Sequence, residues 1–190
     1  MRMLWMLAAF AFAPAAESAA RSWNFRVLLD GREIGQHSFT REGDAEGVRV
    51  VSEARFQVRF LFLNAYRYEH RAEERWRDGC LVSLEARTDD NGVRKDVRAR
   101  PADCTRSFAY WDPAILRTER LLNAQTGELV AVRSTALGVE SIPVRGRETS
   151  ASRHRLTAPG LSIDLWYAGT EWVALESSVE GGRRLRYELL

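Results

Sequence analysis

From residue 48 to 62 the chain alternates with a period of two. Val48, Val50, Ser52, Ala54, Phe56, Val58, Phe60 and Phe62 hold the even positions, and Arg49, Glu53, Arg55, Gln57 and Arg59 fall among the odd ones. Successive side chains of a strand point to opposite faces, so this is the pattern of a half-buried strand. Two more such runs follow before residue 100, and the turns between them set a register that can be tested against charge. A three-residue loop at Leu63-Asn64-Ala65 places Phe62 opposite Tyr66, with Arg59 against Glu69, Arg55 against Glu73, Glu53 against Arg75, and Val58 against His70 inside. A turn at Arg77-Asp78-Gly79 places Trp76 opposite Cys80, Arg71 against Glu85 and Arg67 against Asp89. Asn91-Gly92, a strong two-residue hairpin signal, places Asp89 opposite Arg94, Arg87 opposite Asp96 and Glu85 opposite Arg98. The outer face becomes a lattice of alternating charge. Each exposed pair is worth only about 0.2–1 kcal/mol, so the lattice argues for register more than for stability.

The same alternation recurs along the chain. Trp23, Phe25, Val27 and Leu29 share one face of an early strand, and Asp30-Gly31 turns it back. The return strand, about residues 32–40, has Ile34 and Phe39 at opposite parity, with Gly35 as a candidate bulge, and its register stays open. After residue 128 further short strands follow. A loop at Glu180-Gly181-Gly182 sets Leu175 opposite Tyr187 and Glu176 opposite Arg186. Asp112 can cap and Pro113 can open a short helical element near residues 113–117. The expectation is an all-β fold: a single antiparallel meander of about a dozen strands forming a barrel, half-barrel or roll.

At the N-terminus, Arg2, an apolar run over residues 3–13, Pro14 and the small residues Ser18-Ala19-Ala20 form a secretory signal pattern, with cleavage expected after Ala20. Residues 1–20 are therefore read as a signal peptide and 21–190 as a single β domain, periplasmic or secreted. No transmembrane segment is expected in the mature chain. Net charge is +2 and Lys95 is the only lysine, with no basic cluster, which argues against a nucleic-acid partner. Cys80 and Cys104 are either bridged, as an oxidising compartment favours, or two small buried thiols.

Tyr110-Trp111-Asp112-Pro113 followed by Leu121-Leu122-Asn123 and Thr126-Gly127, together with Leu165-Trp166-Tyr167 and the run from Trp172 to Glu176, resemble domain-of-unknown-function families of exported proteobacterial proteins. The resemblance implies one antiparallel β domain related in outline to periplasmic half-barrels that carry lipoproteins. It implies no chemistry.

The residues themselves offer little for catalysis. There is no Gly-x-Ser-x-Gly elbow, no His-Glu-x-x-His and no phosphate loop. No cofactor or metal is expected, and the reading leans against an enzyme. Of the three histidines, His154 lies between arginines and His37 on the strand of open register. His70 shares an apolar inner face with Glu74, about 13 Å away along one strand. The candidate ligand site is that inner face: Phe56, Phe60, Tyr66, Tyr68, His70, Glu74 and Trp76, with Trp111 from the long excursion. Its expected role is a non-enzymatic binding module for a lipid or other apolar small molecule. The alternatives are a filled core, a structural or assembly protein docking on an envelope protein, and an envelope enzyme using Asp112, His70 or Glu74.

Overall fold

Short turns with positive φ set the architecture. In Asp30-Gly31, Asp78-Gly79, Asn91-Gly92 and Arg145-Gly146 both residues have φ between 49° and 93°, the primed geometry whose twist matches that of paired strands. They join β1 (Arg21–Leu29) to β2 (Arg32–Gly43), β4 (Leu63–Arg77) to β5 (Cys80–Asp90), β5 to β6 (Val93–Ala99), and β10 (Arg133–Val144) to β11 (Arg147–Ala158). With β3 (Val48–Phe60), β12 (Leu161–Ala168), β13 (Glu171–Val179) and β14 (Arg183–Leu189) these form an antiparallel meander of eleven strands. The computed structural model describes residues 20–43, 47–60 and 63–190. The signal pattern and Phe62 lie outside the described residues.

The first and last strands are neighbours in the middle of the sheet, where Phe25 lies opposite Leu189 and Leu29 opposite Leu185. Strands β10 and β6 are its two edges, and the sheet is not closed. Residues 100–132 cross from the end of β6 to the start of β10. They carry β7 (Arg106–Ser107), β8 (Arg120–Leu122) and β9 (Leu129–Ala131), a small separate sheet, and a 3-10 turn at Pro113–Arg117. The Asp112 side chain caps that turn by accepting from the Ala114 N–H at 3.0 Å. A disulfide between Cys80 and Cys104 ties the beginning of the crossing to β5. Ile115 and Leu121, both fully buried, anchor its middle.

Two hairpins differ from the register expected of them. The β3–β4 ladder sets Phe56 opposite Tyr68, Ala54 opposite His70 and Val58 opposite Tyr66, and runs on to Phe60 opposite Leu63 after a bulge. Residues 63–65 thus belong to the strand, not to a loop, and each partner up to Val58 is displaced by four. Charge matching could not detect this, because Arg67, Arg71 and Arg75 alternate with Glu69 and Glu73, a pattern that a four-residue slip maps onto itself. The β4–β5 connection is the two-residue Asp78-Gly79 turn with a bulge beyond it, so Arg71 faces Arg87 and Glu73 faces Glu85. Like charges directly opposite are unfavourable. They are relieved by partners elsewhere: Arg49 to Glu73 at 2.7 Å, Arg67 to Asp89 at 3.0 Å, and Arg71 to Glu53. Both slips are even along most of each ladder, so the side chains there keep their expected faces; next to the Asp78-Gly79 turn the bulge exchanges them, burying Leu81 and exposing Val82. The Asn91-Gly92 hairpin and the closing hairpin have the register their turns require, with Asp89 opposite Arg94 and Leu175 opposite Tyr187.

Strand β2 carries a bulge where Val27 pairs with Gly35 but Leu28 pairs with Glu33. Gly35 has φ 150°, and a Cβ there would lie 1.9 Å from the Arg55 carbonyl oxygen. Only glycine fits this close approach. The bulge reverses the parity of the strand and turns His37 and Phe39 inward.

Candidate functional site

Cross-strand pairing arranges the inner face in rows. One row runs Phe25, His37, Ala54, His70 and Thr88 across β1 to β5. The next runs Phe39, Ser52, Ala72 and Ala86. Ala54 therefore sits between His37 and His70, and Ser52, Ala72 and Ala86 form a run of small side chains beside Phe39, in the part of the wall where bulk would close the interior. The sheet curls so that β2–β4, β12–β14 and the crossing segment all line one cavity of about 780 Å³. Trp23, Phe25 and Trp172 are fully buried beside it, with the Phe25 and Trp172 rings 4.2 Å apart.

The cavity wall is mostly apolar: Phe39, Val50, Phe56 and Val58 on one side, Leu161, Ile163, Leu175 and Leu185 on the other. Phe56 stacks on Tyr68 at 5.3 Å, and His37 stacks on Phe39 at 4.1 Å. A few polar groups converge within this wall. His37 Nδ1 lies 3.3 Å from the Tyr187 hydroxyl, and His70 Nδ1 lies 2.9 Å from Thr88 Oγ1. His37 Nε2 is sealed from water without a hydrogen-bond partner. Burial, reinforced by nearby His70, lowers His37 to about 3, and burial lowers His70 to about 4, so both imidazoles are neutral at neutral pH.

Tyr68, Tyr110 and Tyr187 approach one another from β4, the crossing segment and β14. Burial raises all three phenols; Tyr66, Asp90 and then Tyr110 raise Tyr68 further, and Tyr110 and then Tyr68 raise Tyr187. Tyr66, which also lines the cavity, is raised by burial and by its hydrogen bond to Asp90. Glu74 accepts from the Trp76 indole N–H at 2.9 Å, and burial raises its carboxyl despite that bond. Among the described lining residues Arg183 is the only arginine or lysine.

Of the residues expected to form the site, Phe56, Tyr66, Tyr68, His70, Glu74 and Trp111 line the cavity. Trp76 does not. It is buried against Trp111 with ring centroids 5.4 Å apart, two residues beyond Glu74 on β4. Phe60 ends β3, and its side chain lies outside the described structure. Cys80 and Cys104 act at a distance, holding the segment that brings Tyr110 and Trp111 inward. Asp112 is committed to capping and to Arg106, 2.5 Å away. His154 is partly buried with its ring 6.2 Å from that of Tyr167.

Sequence reasoning missed His37, Tyr187, Tyr110 and the small residues. The signal for His37 was available: once Gly35 is taken as a bulge, Phe39 fixes the inward parity and His37 follows. On the outer face Asp164 is 6% exposed and held by Arg153 and Arg155, so this charge cluster is internally satisfied. No group of histidine, cysteine and carboxylate residues suited to a metal occurs among the described residues. No helix among them is long and apolar enough to cross a membrane.

The model of a domain of unknown function (DUF6134) matches residues 25–190. No curated protein matches the chain. Its structure is similar to the crystal structure of a beta-barrel-like protein of domain of unknown function DUF1849 from Brucella abortus. The two are 11% identical, with a TM-score of 0.56 over 89% of this chain and 94% of the other. That likeness concerns the fold alone.

Proposed function

The chain belongs to the DUF6134 family of domains of unknown function, and from the geometry of its interior we propose that it is an exported, non-enzymatic protein that binds an apolar small molecule or lipid inside its curled sheet. The observation that carries this reading is the cavity of about 780 Å³, within the roughly 300–1,000 Å³ typical of small-molecule sites. Its walls are apolar and aromatic, with a few converging polar groups. The signal pattern of residues 1–20 and the Cys80–Cys104 disulfide support an oxidising, extracytoplasmic setting.

The test is saturable binding of the neutral dye Nile red to purified protein, with native mass spectrometry for carried-over ligand. A ligand at about a hundred times its Kd should stabilise the fold by about 2.7 kcal/mol. Ala54→Phe and, separately, Ser52→Phe should fill the cavity and weaken binding about tenfold or more with an unchanged circular dichroism spectrum. Absence of any bound apolar species, together with no thermal stabilisation by added lipids, would sink the proposal. A second reading, docking of an envelope protein, draws on edge strand β10, where Leu137 and Val139 are 43% and 72% exposed. Capture of a protein partner lost on Val139→Glu, without loss of dye binding, would favour it.

A further inference from the structure

We propose that the cavity selects a neutral alcohol, with a long or polycyclic apolar body, over an ionised fatty acid, and that its hydroxyl is held at the cluster of His37, Tyr68, Tyr110 and Tyr187. This rests on the reading of the cavity as a ligand site and specifies the chemistry of its occupant.

Four separate elements supply the cluster: β2, β4, the crossing segment and β14. Side chains so distant in sequence come together as a polar spot within a mostly apolar wall. Every member is uncharged at neutral pH, because burial keeps the imidazole unprotonated and the phenols protonated. A carboxylate brought here would lose its hydration and find no cation in exchange. Glu74, which also lines the cavity, is of the wrong sign, and Arg183, the one arginine among the described lining residues, stands four residues before Tyr187 on β14, about 13 Å away along the strand.

A hydroxyl fits better than a carbonyl because the His37–Tyr187 contact has two possible senses. If the Tyr187 hydroxyl donates to Nδ1, its oxygen is left to accept; if Nδ1–H donates, the Tyr187 hydroxyl is left to donate. A ligand hydroxyl answers either arrangement, as donor or as acceptor. An alkane answers neither. The other ring nitrogen, Nε2, is sealed and takes no part, so a ligand hydroxyl meets this pair through the Tyr187 oxygen, which lines the cavity.

The experiment is displacement of Nile red from purified protein at neutral pH by dodecanol, dodecanoate and dodecane. Dodecanol should displace the dye at about one-tenth the concentration needed by either of the others. Tyr187→Phe and His37→Phe should each weaken dodecanol by about tenfold while leaving dodecane and the dye within about twofold. Because the dye is a second readout on the same variants, a folding defect would be recognised by its loss. Dodecanoate binding as tightly as dodecanol, or both variants weakening all ligands equally, overturns the inference and leaves the cavity a ligand site. Failure of the dye and all three compounds to bind overturns the ligand-site reading and this inference with it.

Discussion

Acidification should destabilise this protein through its two interior histidines, and the size of the effect can be worked out. Unfolded, an imidazole titrates near 6.5; folded, His37 is held at about 3 and His70 at about 4. The unfolded chain therefore binds protons that the folded chain refuses. A depressed pKa contributes stability above the unfolded value, and that stability is lost as pH falls from 6.5 toward the folded values. At about pH 5 both folded imidazoles are still neutral, so the loss is set by the unfolded pKa and amounts to about 2 kcal/mol per histidine. Glu74 works the other way: burial raises its carboxyl, so ionisation penalises the fold at higher pH and acid relieves that penalty. The two contributions are separated by variants. Urea unfolding of the wild type, His37→Phe, His70→Phe and the double variant at about pH 7.5 and about pH 5 gives the pH dependence of each. Each single substitution should reduce the acid-induced loss by about 2 kcal/mol and the pair by about 4. The His70 bond to Thr88 cancels from this comparison, because its loss affects both pH values alike. A double variant as acid-sensitive as the wild type would refute the reasoning and place both rings in contact with bulk water.

The disulfide spans 24 residues of sequence, so Cys80→Ala with Cys104→Ala should cost about 3.5 kcal/mol by loop entropy and lower Tm by roughly 7–14 °C. Calorimetry checks the first, and loss of dye binding below the new Tm checks whether the crossing segment goes with it. Gly35→Ala would place a methyl 1.9 Å from a backbone oxygen and should cost about 3 kcal/mol or more. Gly31→Ala, with open space around it, should cost only about 1–2 kcal/mol, and urea titration of the two separates steric conflict from the turn's backbone preference.

Strand faces were legible because they depend only on parity, and both hairpin slips were even along most of each ladder. Turn chemistry was legible where it is unambiguous, as at Asn91-Gly92 and in the Asp112-Pro113 cap. Register failed at Asp78-Gly79 because a following bulge mimics a longer loop, and at β3–β4 because its charges repeat every four residues. The site was half legible for a related reason. Large aromatics announce an inner wall, which brought forward Phe56, Tyr68 and Trp76. What opens that wall is the set of small residues Ser52, Ala54 and Ala72, and smallness leaves no mark until strands are aligned. Tyr110 and Tyr187 meet His37 only through a crossing segment and a last strand whose positions no local pattern encodes.

The β1–β14 pairing has a consequence for when the cavity exists. Each half of the meander can zip up by local hairpins, but the contact between Asp30 and Arg184 joins residues 154 apart. Closing so long a loop is entropically late in assembly. His37 and Tyr187 stand on β2 and β14, on either side of β1, so they become neighbours only when that seam forms. A bound molecule that touches both would then act as a clasp across it, rewarding the chain for completing its slowest step. Apolar cargo and correct assembly would thus be linked, with an occupied protein slower to come apart than an empty one.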